Sequence, residues 1–230
     1  MKKTFLSLLA LCFAALLAYS GYRAWNAYGD YRKEAAMHDT VMVFKPEGDR
    51  VNQKIADLRA RYPDAVGWLT VPGTKIDYPF VRYKDNDHYL RRDLNGEYAV
   101  AGTLFMDCRN KTDFSSPITI IYGHHMKNGS MFGTLKLFED KTFFNENPYA
   151  YIYLPHETLT LEIFAYMVIN PSTDREIYNI SLNDSYMDYV RANARCFREV
   201  ELASGDRVVT LSTCAYDFRN ARMVLLAKVV

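Results

Sequence analysis

From residue 66 onward the apolar positions fall into short runs separated by turn residues. The runs cover 66–71, 76–82, 99–106, 118–122, 150–154, 158–168, 208–213 and 223–230. They are rich in β-branched and aliphatic side chains, and Gly, Pro, Asn or Asp punctuates the gaps, so each predicts a strand. Eight strands at this spacing predict a mostly β fold, a barrel or a sandwich. Two stretches keep a helical period instead. Phe132, Leu135 and Phe138 predict a short helix. Met187, Val190, Ala194 and Phe197 predict a longer one over 182–197, N-capped by Asn183 or Asp184 and inserted between strands.

The N-terminal pattern is of another kind. Lys2 and Lys3 precede an uncharged run from Phe5 to Tyr19, with the interfacial aromatics Tyr22 and Trp25 beyond it. Together these are long enough to cross a bilayer as a helix, which takes roughly 20 mostly apolar residues. A cleaved secretory signal is the alternative, because Ala18-Tyr19-Ser20 is an acceptable small-x-small cleavage site. Either reading exports the domain. As an anchor, the segment divides the chain into a cytoplasmic tail at 1–4, a transmembrane helix at 5–25, a helical membrane-proximal stretch at 26–62 and a barrel domain at 63–230. Within that stretch Val51, Ile55 and Leu58 hold helical spacing, and Lys45-Pro-Glu-Gly48 interrupts it.

Composition narrows the class. With 49% hydrophobic and 24% charged residues and a formal charge of +1, the 230-residue chain can bury one full core. No run of lysines and arginines interleaved with aromatics points to nucleic acid. Cys12 lies in the apolar N-terminal run, which leaves Cys108, Cys196 and Cys214 as an odd set, so at least one thiol is unpaired within the chain. Cys196, in the helical pattern, and Cys108, between Asp107 and Arg109, read as small buried hydrophobes. There is no C-x-x-C pair, and the histidines lack metal-ligand spacing, which disfavours zinc.

Cys214 is different. It closes the apolar run 208–213, and Arg222 opens the next one after a polar loop. If the two strands pair as a hairpin, thiol and guanidinium face each other, and a fixed positive charge there favours a thiolate or steadies an oxyanion. A cysteine nucleophile also needs an imidazole brought in from elsewhere in the chain. His38 and His88 sit among charges and His156 follows Pro155 in a turn, whereas His124 and His125 stand where the run 117–122 ends at Gly123. His124, the first residue beyond the strand, is the candidate base. Taken alone, Arg222 could simply pair with Asp217.

The motifs carry a resemblance. Thr210-Leu-Ser-Thr-Cys214 resembles the T-L-x-T-C signature of sortases, the cysteine transpeptidases that attach proteins to the Gram-positive cell wall. Tyr122-Gly-His-His-Met-Lys-Asn-Gly-Ser-Met-Phe132 resembles the histidine segment of their class B branch, and 85–90, 93–96 and 102–107 are similar to class B as well, so the likeness covers about 51–230. It implies an eight-stranded sortase-type barrel with N-terminal helices and a long helix inserted before the nucleophile strand. It implies Cys214 as nucleophile, His124 as general acid and base, and Arg222 as the group that holds substrate and the oxyanion. Ser212, Asn86 and Leu90 match walls of the substrate groove, and Thr173 and Tyr178 match its lid. The first three also have a plain structural reading: Asn86 as a turn residue, Leu90 as core, Ser212 as an ordinary strand position.

The implied reaction cleaves an NPxTx-like sorting motif near the C-terminus of a secreted surface protein through a thioacyl intermediate. An amine of a peptidoglycan cross-bridge then takes the acyl group. No cofactor and no metal is implied, and the enzyme would be anchored in the cell membrane with its N-terminus inside and its catalytic domain outside. Two rivals remain at this level: a membrane-anchored cysteine peptidase that hydrolyses with the same three residues, and an inert surface-binding barrel in which Cys214 is merely buried. Pilus polymerisation has no added lid segment to support it.

Overall fold

The computed structural model describes residues 2–47, 52–179, 182, 185–215, 217 and 220–230, and its contacts divide the chain into two units, Met1–Thr40 and Val41–Val230. Helix α1, Lys2–Val41, spans 40 residues without a break. Leucine and alanine dominate its first half and Ala, Arg, Lys, Glu and Met its second, all good helix formers, so Gly21 and Gly29 do not interrupt it. Its most apolar 18-residue window has a mean hydropathy of 1.9 and none of it is buried, as suits either a membrane anchor or a signal sequence. A 3₁₀ turn, Met42–Phe44, follows, and the chain turns extended at Lys45, where the ring of Pro46 disfavours further helix. Helix α2, Gln53–Arg61, belongs to the second unit, packing on its first strand with Ile55 and Leu58 fully buried. Val51, the first apolar position of the expected helix, lies outside the described residues.

Among the described residues the second unit has nine strands: β1 Ala65–Thr70, β2 Asp77–Arg82, β3 Leu104–Met106, β4 Ile118–Tyr122, β5 Tyr149–Tyr153, β6 Thr158–Ile169, β7 Cys196–Phe197, β8 Val208–Cys214 and β9 Arg222–Val229. Eight close into a ring in the order β5-β1-β2-β3-β4-β8-β9-β6, and β6 returns to pair with β5. This is the expected eight-stranded barrel. Pairings β2–β3 and β4–β8 are parallel, and the others in the ring are antiparallel.

Strands β4, β8, β9 and β6 are buried on both faces, which explains why their sequences are nearly continuous apolar runs. Inward, Ile121, Leu211, Met223, Leu225 and Ile163 join Leu69, Phe80 and Phe132 in the barrel core. Outward, Ile118, Ile120, Val208, Val224, Leu226 and Phe164 form a second cluster, roofed by Ile177, Tyr186 and Val190. That roof consists of a 3₁₀ turn, Arg175–Tyr178, and helix α4, Tyr186–Asn193.

The roof helix is shorter than its periodicity predicts. It has 8 residues, and Ala194 is already extended. The reason is an unsatisfied sheet edge: β5 covers β6 only as far as Glu162, and Cys196–Phe197 pair instead with Ala165 and Tyr166 as β7. Two further bonds, Arg195 N–H to Tyr166 O (2.9 Å) and Arg198 N–H to Phe164 O (2.7 Å), flank the pairing. Cys196 is therefore a buried strand residue. The expected caps Asn183 and Asp184 lie outside the described residues.

Two more departures have local causes. The run 99–106 yields only three strand residues because Gly102 turns at φ +60°, where an added Cβ would lie 2.6 Å from the carbonyl oxygens of Tyr89 and Leu90. The pattern at 132–138 becomes a 3₁₀ helix, Gly133–Glu139, burying Leu135 and Phe138. It is followed by an unanticipated helix α3, Lys141–Glu146, whose N-cap Asp140 accepts from Phe143 N–H at 2.9 Å.

Candidate active site

Three neighbouring strands carry one rung of the site. In the β8–β9 ladder Cys214 stands directly opposite Arg222. In the parallel β4–β8 ladder Tyr122 stands opposite Ser212, so two residues further along His124 comes level with Cys214. Side chains alternate across a strand, and Ile120, Val208 and Val224 all face outward. Tyr122, His124, Ser212, Cys214 and Arg222 therefore share the outer face, and neighbouring strands lie only about 4.8 Å apart. The apolar roof stops at Tyr178, and past it Cys214 is exposed to solvent.

Gly123 is what lets β4 end in this way. It points inward, and a Cβ there would lie 2.4 Å from Leu104 Cδ2 and 2.8 Å from Phe132 Cδ2, inside the packed core. Gly123→Ala is expected to lower unfolding free energy by about 1–3 kcal/mol. Chemical denaturation measures this, and an unchanged midpoint would mean that Leu104 and Phe132 yield freely.

His124 is half-buried, and its Nε2 lies 2.6 Å from the Leu90 carbonyl oxygen. A carbonyl only accepts, so Nε2 carries the proton and Nδ1 is the ring's acceptor when neutral. Burial pushes the His124 pKa below its usual 6.5; the Leu90 carbonyl works the other way, and the charge of Arg91 adds to the lowering. The unfolded chain thus takes up this proton first as pH falls, so His124 costs stability below about pH 6.5 and none above it. An NMR titration of the imidazole is expected to give a midpoint under 6.5. A midpoint at or above 6.5 would mean the ring is solvated.

His125 does something else. Its Nδ1 lies 2.9 Å from the backbone carbonyl of Cys214, pinning the end of the nucleophile strand. Arg222 donates from Nη1 to the carbonyl of Ala221 at 3.1 Å and has no carboxylate partner among the described residues. Asp217, the alternative partner, pairs with Arg195 at 2.8 Å. Among the described residues no disulfide forms, and Cys108, Cys196 and Cys214 are all free thiols.

The groove candidates separate. Tyr178 spans the outer face: its hydroxyl lies 2.8 Å from Ser212 Oγ and its ring stacks on Tyr122 with centroids 6.4 Å apart. Burial raises the pKa of that hydroxyl, and its bond to Ser212 and the charge of Arg222 oppose the rise. Leu90 is 40% exposed and lends its carbonyl to His124. Asn86 is a scaffold residue here, accepting from Cys108 N–H at 2.8 Å and donating to Asp107 at 3.2 Å. Thr173 is exposed and bonds within its own turn, to the Asn170 carbonyl and the Asp174 carboxylate. Sequence reasoning missed Asp107 and Arg109, which lie just behind the groove. The signal available was a charged pair two residues apart at the end of a buried strand.

A family profile described as the sortase domain matches residues 69–230. The Sortase B of Listeria monocytogenes serovar 1/2a is 33% identical over 236 residues, covering 96% of this chain and 95% of its own. Among solved structures, the sortase B from B. anthracis in complex with AAEK1 superposes with a TM-score of 0.75 at 32% identity, covering 88% of this chain and 99% of its own. The Clostridium perfringens sortase B superposes with a TM-score of 0.70 at 35% identity, covering 76% and 98%.

Proposed function

Because the chain belongs to the sortase family and is therefore a cysteine transpeptidase, we propose that Cys214, His124 and Arg222 carry out a two-step acyl transfer on the outer face of the barrel. The observation that carries this reading is the Cys214–Arg222 pair that closes the β8–β9 ladder, with His124 two residues past the end of the neighbouring β4. The Cys214 thiol gives its proton to His124 as its sulfur attacks the carbonyl carbon of the scissile peptide, and the Arg222 guanidinium receives the oxyanion. The C–N bond then breaks as imidazolium His124 gives its proton to the departing amine, leaving a thioester. An incoming amine loses a proton to His124 and displaces the sulfur to form the new amide.

The family acts on sorting signals and on peptidoglycan amines. For this chain we assign an NPxTx-like motif at the C-terminus of a secreted surface protein as donor and a cross-bridge amine as acceptor. Ser212, Tyr178 and Leu90 touch the peptide, Asn86 supports the wall behind them, and Thr173 lies at the outer edge of the lid. Helix α1 holds the enzyme in the cell membrane, with the N-terminus inside and the barrel outside; its apolar first half supports the span, and Lys2 and Lys3 ahead of it support the orientation.

The test is incubation of the full chain in detergent with an Asn-Pro-x-Thr peptide, with and without an oligoglycine or a diaminopimelate-containing peptide. The expected products are a thioester on Cys214 and an amine-dependent ligated peptide, read by mass. Hydrolysis at a rate no amine alters would make the protein a peptidase instead.

A further inference from the structure

Asp107 is fully buried, yet charged, and lies outside the chemistry just described. Its carboxylate takes five hydrogen bonds. Oδ1 accepts from the backbone N–H (2.9 Å) and Nε (2.8 Å) of Arg109. Oδ2 accepts from Arg109 Nη2 (2.9 Å), the Tyr122 hydroxyl (2.9 Å) and Asn86 Nδ2 (3.2 Å). Burial alone would raise its pKa, but Arg109 and Tyr122 hold it below the usual carboxylate range, so it is an anion at neutral pH.

Two of these donors reach onward to the same residue. Arg109 Nη2 also donates to the backbone carbonyl of Tyr178 at 3.2 Å, and the ring of Tyr122 is the platform on which Tyr178 stacks. The third anchor of Tyr178 is Ser212, on the nucleophile strand itself. Arg109 and Tyr178 also line the inner side of a cleft of about 360 Å³ bounded by Pro171, Arg175, Glu176 and Asn179. The segment after β6 therefore meets the barrel here through polar bonds and one ring stack, with Ile177 its apolar foothold.

We propose that the Asp107–Arg109 pair is a positioning latch that sets the 170–179 segment, and with it Tyr178, across the substrate groove. This rests on the groove reading above and adds to it: a bidentate guanidinium–carboxylate fork fixes orientation where a point charge would not. Neither residue touches the reacting atoms. The latch acts on peptide binding, so loosening it raises KM and leaves the chemical step alone.

The experiment uses the full chain in detergent and compares Arg109→Gln and Arg109→Lys with the wild type. Arg109→Gln is expected to raise KM for the sorting peptide roughly tenfold while kcat stays within about twofold. Amide exchange is expected to quicken across 170–179 and not in β8 or β9. A merely structural role would instead lower the melting temperature and the active fraction, reducing apparent kcat at unchanged KM. Unchanged KM with unchanged exchange at 170–179 would overturn the proposal. Arg109→Lys keeps the charge without the fork and is expected to restore only part of the affinity; full restoration would also overturn it. If Arg109→Gln leaves too little folded protein, Asp107→Asn/Arg109→Gln removes both charges together and is read in the same way. If the wild type cleaves no sorting peptide, the functional reading fails, while the exchange measurement still decides the latch.

Discussion

Cys214→Ala is expected to lower transpeptidation by roughly 10⁴- to 10⁶-fold, the scale seen when a covalent catalyst loses its nucleophile. The reason is geometric as much as chemical. Cys214 sits on the last rung of β8, exposed, opposite Arg222, and Ser212, the nearest hydroxyl on the same face of the strand, already shares a bond with Tyr178. The other thiols of the barrel unit do not take its place: Cys196 is buried in β7, where burial raises its pKa, and Cys108 is only partly accessible, on a separate loop. The measurement is product formation with a sorting peptide and an amine, beside mass detection of the acyl-enzyme. The melting temperature is expected to stay near that of the wild type, because the thiol packs against little. Residual activity within a hundredfold of wild type would place the nucleophile elsewhere.

Adjacent histidines make the second large effect unusually discriminating. His124→Ala is expected to reduce kcat by about 10²- to 10⁴-fold, the usual contribution of a general acid and base. His125→Ala removes a bond to the Cys214 carbonyl and is expected to cost only a few-fold, with a modest loss of stability of about 1 kcal/mol. His125 reaches the Cys214 carbonyl and His124 the Leu90 carbonyl; continuing the β4–β8 register two residues past Tyr122 and Ser212 brings His124 level with Cys214. Comparable losses in both variants would mean that the imidazoles exchange roles during the reaction.

Much of this arrangement could be read from the chain. The apolar runs at 208–213 and 223–230 and the length of the loop between them foreshadow the hairpin that brings Cys214 and Arg222 together. The break at Gly123 marks where β4 must end. His124 needed more, since its pairing with β8 is parallel and non-local, and no sequence pattern specifies which strands become neighbours across such a distance. The strand end at Gly123 marked His124 as the candidate base, and the motif resemblance agreed with that choice. Cys196 was misplaced because its helical periodicity is local, whereas the free edge of β6 that claims it is a tertiary feature. The Asp107 network stayed hidden for a similar reason: Asn86, Arg109, Tyr122 and Tyr178 converge from four segments, and nothing in the sequence ties Arg109 to a carbonyl beyond β6. Thr173, assigned to the lid by likeness alone, bonds only within its own turn.

Strand β9 has a consequence of its own. It is the C-terminal strand, yet it lies between β8 and β6 in the ring, contributes Val224, Leu225 and Leu226 to both cores and opens on Arg222. A polypeptide cut short by stalled translation or by a protease within those eight residues would lose barrel closure, and one cut ahead of Arg222 would lose the guanidinium as well. Incomplete copies would be unfolded rather than half-functional, and so recognisable to quality-control proteases before they could leave acylated intermediates stranded.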